Sequence, residues 1–209
     1  MNSSALRTID EVQQLTQEYA SYSQSKNGLG NVLGGVVGLA IYLVNGLIGP
    51  GLLTALLTIG LTLTWLVGKE FIRRRFYRVF GEAQEVWTPQ ARRWHTGSIA
   101  FTALICVGVG VAFIWLGGLR EPSGWLYLLF CAVMPWIAWR YLRTPNEFTV
   151  GIFLLCACAV TSAGGAYGLL YGSWAAFFSV LMLLKGIDEH RKFRALAIRL
   201  QAQWMVQES

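Results

Sequence analysis

The sequence predicts an all-α fold: a polytopic membrane helix bundle of about six transmembrane helices, with cytoplasmic amphipathic helices at both ends. Three observations predict it. Of 209 residues, 55% are apolar and only 13% charged, which leaves too little polar material to cover a water-facing surface. Six apolar stretches recur along the chain, each close to the roughly 20 residues that cross a hydrocarbon core. Sixteen of the seventeen Lys and Arg residues fall in segments that an even number of crossings places on one side, and the positive-inside rule makes that side cytoplasmic.

Residues 1–30 read as a cytoplasmic amphipathic helix. Thr8-Ile9-Asp10-Glu11 has the capping-box pattern, in which Thr accepts from an orphan backbone N–H and Glu reaches back. Ile9, Val12, Leu15, Tyr19 and Tyr22 follow near helical spacing as one apolar stripe. No charged n-region leads into an apolar h-region, so the first apolar run is expected to stay as a span.

The transmembrane domain covers 31–187. Spans at 31–49 and 51–68 flank Gly49-Pro50-Gly51, a tight reversal, because Pro cannot continue the helical ladder. The basic loop 69–97 starts as a continuation of the second span through Phe71, Ile72, Phe76, Val79 and Phe80, interleaved with Arg73, Arg74, Arg75 and Arg78, until Gly81 ends it. Thr88-Pro89 then fits an N-cap followed by the first helical position, opening a short surface helix that leads into the third span. The remaining spans are 98–119, 124–142, 148–167 and 169–187, with the last boundary somewhere in Gly164 to Ser173 and a kink expected at Pro135. Residues 188–209 continue the last span as a C-terminal amphipathic helix with Phe193, Leu196, Ala197, Leu200 and Trp204 on its stripe and Arg191, Arg194 and Arg199 on its flanks. The opposite face carries short turns and one cation, Arg120, which leaves no room for an outer domain.

Ionisable side chains inside a bilayer mark proton relays and ion paths. The span centres hold none, so neither a proton-coupled pump nor a buried catalytic centre is expected, and the chain reads as non-enzymatic with no catalytic residue, metal site or cofactor. His95 and His190 sit at the cytoplasmic boundary, where Asp188 and Glu189 make an interfacial charge cluster a better reading of His190 than acid–base work. A lipid-acting enzyme would need the two histidines to meet in space. Cys106, Cys131, Cys156 and Cys158 lie in apolar runs as small hydrophobes, and the i, i+2 spacing of the last two points their thiols apart on a helix. Thr54, Thr58 and Thr62 form a hydroxyl stripe suited to bonding their own helix backbone. Gly34 and Gly38, and Gly164, Gly168 and Gly172, form small-residue faces for close helix packing, within one chain or in a homo-oligomer.

An exposed apolar stripe must be buried against something. The membrane interface, the other amphipathic helices and a separate protein all compete, and Arg73, Arg74, Arg75 and Arg78 with Phe193, Leu196, Leu200 and Trp204 are assigned as a partner or lipid interface. The basic cluster suits anionic headgroups. Nucleic acid is not expected, since topology already explains the charge and no recognition fold accompanies it. The leading function is a non-enzymatic protein of a bacterial-type plasma membrane, whose cytoplasmic helices offer an interaction or sensing surface to a cytoplasmic or membrane protein partner. At the level of topology alone, an N-terminal amphipathic helix, six spans with both ends inside and a helical loop after the second span make the layout similar to that of bacterial ABC-2-type exporter permeases. That resemblance implies the alternative: a small permease subunit working with a separate ATPase.

Overall fold

The computed structural model describes residues 3–24, 26–49, 51–81, 83, 87–115, 118–120, 122–144, 147–148, 151 and 166–207. Among them the regular structure is entirely helical: α1 (Ser3–Gln24), α2 (Gly28–Ile48), α3 (Leu52–Phe76), α4 (Pro89–Trp115), a single 3₁₀ turn (Gly118–Arg120), α5 (Pro122–Tyr141) and α6 (Ala166–Gln207). Two stretches, Val12–Ile48 and Leu52–Phe76, are long and apolar enough to cross a membrane by length and composition. The fifth expected span, 148–167, lies almost wholly outside the described residues, as does Gly164.

α2 is the central element, packed on α6 and α3, while α5 joins α3 to α4. Glycine makes the α2–α6 contact possible. A Cβ built on Gly186 would stand 2.5 Å from the Gly28 carbonyl oxygen and 2.7 Å from the Val32 nitrogen, and one on Gly35 would stand 2.6 Å from the Ser179 carbonyl oxygen. Residues later in α2 thus meet residues earlier in α6, so the two helices run antiparallel. The expected glycines Gly34 and Gly38 are buried on α2 as well, whereas the surroundings of Gly168 and Gly172 on α6 lie outside the described residues.

The main core gathers Val37 and Ile41 of α2, Trp65 and Leu66 of α3, Cys106 of α4 and Met134, Ile137 and Ala138 of α5. α3 shows a reversed polarity around it. Its threonines, Thr54, Thr58 and Thr62, are buried, while Leu52, Leu53, Leu56, Leu57, Leu63 and Val67 are exposed. The buried hydroxyls satisfy themselves locally, Thr58 donating to the Thr54 carbonyl at 2.7 Å and Thr62 to that of Thr58 at 2.9 Å.

Three boundaries differ from the sequence expectation. α1 starts at Ser3, so Thr8 is inside the helix and not its cap. α3 stops at Phe76 and not at Gly81, because Tyr77 leaves the helix to become fully buried. Thr88 does cap α4, accepting from the Ala91 backbone N–H at 3.2 Å, but the surface lead-in and the third span are one unbroken helix. α6, 42 residues long, spans about 63 Å at 1.5 Å per residue, twice a hydrocarbon core of roughly 30 Å; its apolar part and its charged part are a single rod, as expected of a C-terminal helix that continues the last apolar stretch. Pro135 lies inside α5, as the pattern expected.

Overpacking a close backbone crossing typically costs about 1–3 kcal/mol. Gly186→Leu is therefore expected to lower the thermal midpoint of the protein in mild detergent by several degrees, whereas Gly46→Leu, where an added Cβ meets nothing within 4 Å, is expected to leave it unchanged.

Candidate functional site: a buried ionic knot at the basic end

The end of the bundle that holds the start of α2 and the end of α3 concentrates the chemistry-bearing side chains. Asn27 sets its frame. Its side-chain oxygen caps α2 by accepting from Gly30 N–H at 2.8 Å, and its amide nitrogen donates to the Lys69 carbonyl at 2.7 Å, so one residue ends one helix and fastens it to the next. One turn further along, the Trp65 indole N–H donates to the Gly30 carbonyl at 3.0 Å.

Lys69 and Arg73 extend the inward face of α3 and are 1% and 0% exposed; the carboxylate between them, Glu147, is 2% exposed. Glu147 Oε2 accepts from Lys69 Nζ at 2.9 Å and from the Arg143 backbone N–H at 2.8 Å, and Oε1 accepts from Arg73 Nη2 at 2.7 Å. Arg73 Nη1 reaches the partly exposed Glu70 at 2.6 Å. The Lys69 ammonium also donates to the Tyr141 carbonyl and lies over the Trp65 ring, 5.5 Å from its centroid. Two cations are thereby matched by two carboxylates, and α3 is tied to the end of α5. A buried ion pair of this kind adds little over an apolar pair, but breaking it leaves an uncompensated charge.

A second cluster lies beside the knot. Tyr19 and Tyr22 of α1, Tyr77, and Phe193, Leu196 and Leu200 of α6 bury one another, with Tyr77 and Phe193 ring centroids 4.5 Å apart. The Tyr77 hydroxyl accepts from the Leu29 backbone N–H at 3.0 Å and shares a hydrogen bond with His190 Nδ1 at 3.1 Å, whose direction follows the imidazole tautomer. Burial pushes the Tyr77 pKa up to about 12, so the phenol stays protonated. Burial, reinforced by the Arg194 charge, lowers the pKa of His190, and burial raises that of Glu189, whose carboxylate accepts from the Asn31 side chain at 2.9 Å. The C-terminal carbonyls of α1 face cations: Arg78 Nε donates to Ser23 O at 3.4 Å and Arg143 Nη1 to Gln24 O at 3.3 Å, as the negative end of a helix dipole favours.

These contacts redistribute the residues assigned from sequence to a partner or lipid interface. Phe193, Leu196 and Leu200 are covered by α1 and Tyr77 of the same chain, because the stripes of the two amphipathic helices face each other; they are not an outward surface. Arg73 is inside the knot, since it falls on the threonine face of α3 and not on the face of its neighbours. Arg74 and Arg75 are exposed, Arg78 is half-buried, and the Trp204 side chain lies outside the described residues. His95 and His190 occupy separate settings: His95 packs edge-on against Trp87 and Phe148, 5.1 and 5.7 Å between centroids, and His190 packs against Tyr77. Among the described residues no three His, Cys, Asp or Glu side chains converge as a metal site.

Sequence reasoning missed Glu147 and the burial of Lys69. A signal for the latter was present: continuing Thr54, Thr58 and Thr62 by steps of three or four passes through Trp65 or Leu66 to Lys69 and Arg73.

Two outcomes are expected. Glu147→Ala leaves two buried cations short of a partner, so it should cost about 3–5 kcal/mol in denaturant unfolding followed in mild detergent, while Glu70→Ala costs clearly less. Acid should also loosen the second cluster. A histidine whose folded pKa is lowered contributes stability above its unfolded value of 6.5 that is lost as pH falls from there toward the folded pKa. Glu189 has the opposite sign, its contribution present below 4.5 and lost as pH rises through its raised folded pKa. Comparison of thermal midpoints isolates the histidine: the wild-type midpoint falls between about pH 7 and pH 5.5, and His190→Gln falls less.

Comparisons with protein families, curated proteins and solved structures find no match for this chain.

Proposed function

We propose that this chain is a non-enzymatic, polytopic integral membrane protein of six spans, with both ends cytoplasmic, whose basic end is an interaction or sensing surface for a partner. The reversed polarity of α3 supports the membrane part of this reading. A helix in water hides leucine and shows threonine; α3 hides Thr54, Thr58 and Thr62 and shows six large aliphatic side chains, the arrangement suited to a surrounding solvent of lipid. Exposed Leu43, Leu47, Leu104, Val107, Val111, Trp115, Leu129 and Trp139 on α2, α4 and α5 extend the same apolar exterior.

One observation carries the functional part. At the basic end Lys69, Arg73 and Glu147 hold one another, Tyr77 pairs with His190, and Glu189 accepts from Asn31, which makes a rigid base of side chains engaged in structural contacts. What faces outward around that base is mainly basic and apolar: Arg74 and Arg75 beside exposed Phe71, Phe76 and Val79, and Arg191, Arg194 and Arg199 beside exposed Ile198, with the exposed Asp188 carboxylate paired to Lys192. Such a rim suits docking of an acidic protein surface or anionic headgroups.

Two measurements test the proposal. With Cys106, Cys131, Cys156 and Cys158 replaced by Ala, a single Gly51→Cys thiol in intact cells should react with a membrane-impermeant maleimide, since Gly51 is exposed in the α2–α3 turn; reaction only after lysis would refute the topology. Affinity capture in mild detergent should recover a stoichiometric partner that is lost with Arg74→Glu/Arg75→Glu at normal abundance. A partner that is an ATPase would select the exporter-permease alternative, and a partner retained by that variant would displace the surface from α3.

A further inference from the structure

The first turns of α4 hold a feature that neither the ionic knot nor the rim uses. A groove of about 530 Å³ runs along one face of the helix, lined among the described residues by Gln90, Arg93, Trp94, Gly97, Ser98 and Phe101. These positions recur at steps of three and four, so they form one continuous stripe. Its character changes in one direction. Gln90 and Arg93 are polar and cationic, Trp94 is an exposed amphipathic ring at 67%, Gly97 and Ser98 are small, and Phe101 is an exposed apolar ring at 57%. From Gln90 to Phe101 the helix rises by about 16 Å, roughly the depth from headgroups to the middle of one leaflet.

The floor of the groove is open because Gly97 has no side chain: a Cβ added there meets nothing within 4 Å. The volume lies in the range of small-molecule sites, roughly 300–1,000 Å³. No acidic side chain is among the described lining residues, and Arg92 adds a second exposed cation beside Arg93. Large exposed aromatic rings next to a guanidinium and a hydroxyl match a ligand with an anionic head and an apolar tail.

We propose that this groove binds one anionic phospholipid, the phosphate at Arg93 with Gln90 as hydrogen-bonding partner, and one acyl chain laid over Gly97 and Ser98 between Trp94 and Phe101. The inference rests on the membrane reading above and gives that protein a discrete lipid site distinct from the Arg74 and Arg75 rim. Arg93 acts through charge and through paired N–H donors that match a phosphate. Trp94 sits at the depth where indole rings favour the headgroup boundary.

The test uses the full chain purified in mild detergent, delipidated, and titrated with phosphatidylglycerol, phosphatidylcholine or the headgroup alone as glycerol phosphate, with bound lipid counted by native mass spectrometry. Phosphatidylglycerol should bind one per chain and more tightly than phosphatidylcholine. Arg93→Gln should weaken it about fivefold, Arg93→Lys should restore most of the loss, and Gly97→Leu should remove binding by filling the groove while leaving the circular-dichroism spectrum and thermal midpoint intact. Undiminished phosphatidylglycerol binding by both Arg93→Gln and Gly97→Leu would overturn the site, and so would glycerol phosphate binding as tightly as the lipid, which would mark a soluble phosphate compound as the ligand. Failure of the membrane reading shows differently: the chain would then purify monodisperse without detergent and without lipid.

Discussion

A carboxylate held between two cations, all three within a few per cent of complete burial, constrains where every element at the basic end can lie. Neither Lys69 nor Arg73 can face an apolar interior alone, since an isolated charge there costs several kcal/mol even after relaxation. Glu147 answers both, and its position is fixed in turn by the Arg143 backbone N–H. α3 therefore cannot rotate or slide without stranding a charge, and the segment after α5 cannot leave α3. The Tyr141 carbonyl and the Trp65 ring complete the surroundings of the ammonium, so the restraint reaches into the main core through Trp65 and thence to α2 through the Gly30 carbonyl. Directional bonds do here what hydrophobic burial does in a water-soluble core, where apolar contact alone specifies position less sharply.

Away from the knot, close approach substitutes for polar bonding. Gly28, Gly35 and Gly186 bring the backbones of α2 and α6 within touching distance. On the membrane reading proposed above, the hydrophobic effect supplies no preference for helix–helix over helix–lipid contact, so small residues that enlarge van der Waals contact decide which faces meet. The two mechanisms meet on the same pair of helices. At the start of α2 the Gly28–Gly186 crossing lies beside the polar contacts Asn31–Glu189 and Leu29–Tyr77–His190, and the Gly35–Ser179 approach continues the close packing two turns on.

Much of the helical layout was legible because it depends on short-range pattern. Gly49-Pro50-Gly51 separates α2 from α3, Thr88-Pro89 opens α4, and the stripes Leu15, Tyr19, Tyr22 and Phe193, Leu196, Leu200 follow helical spacing. The pairing of those two stripes was one of three destinations the sequence left open, because a stripe records that a face is apolar and not what covers it. The knot was hidden for a related reason. Arg73, Arg74 and Arg75 are chemically identical neighbours, and only rotation about the helix axis, 100° per residue, separates the buried one from the exposed pair. Its carboxylate partner stands 74 residues away, beyond the reach of any local pattern.

Tyr77 shows how the boundary errors and the site share one cause. Propensity favours a helix through Phe80, since Tyr77, Arg78, Val79 and Phe80 tolerate helical geometry and no Pro or Gly intervenes before Gly81. Ending the helix at Phe76 forgoes further intrahelical hydrogen bonds, each worth only about 1 kcal/mol net. In exchange the Tyr77 ring is fully buried between Tyr22 and Phe193, and its hydroxyl satisfies both Leu29 and His190. An aromatic side chain buries on the order of 150–250 Å², which at about 25 cal/mol per Å² gives roughly 4–6 kcal/mol as an upper bound and outweighs a hydrogen bond or two. The tertiary term wins, and the chain turns where the aromatic cluster needs it to turn, which also brings Arg78 back over the carbonyl end of α1. A single departure from helical geometry thus joins α1, α2, α3 and α6 at the basic end.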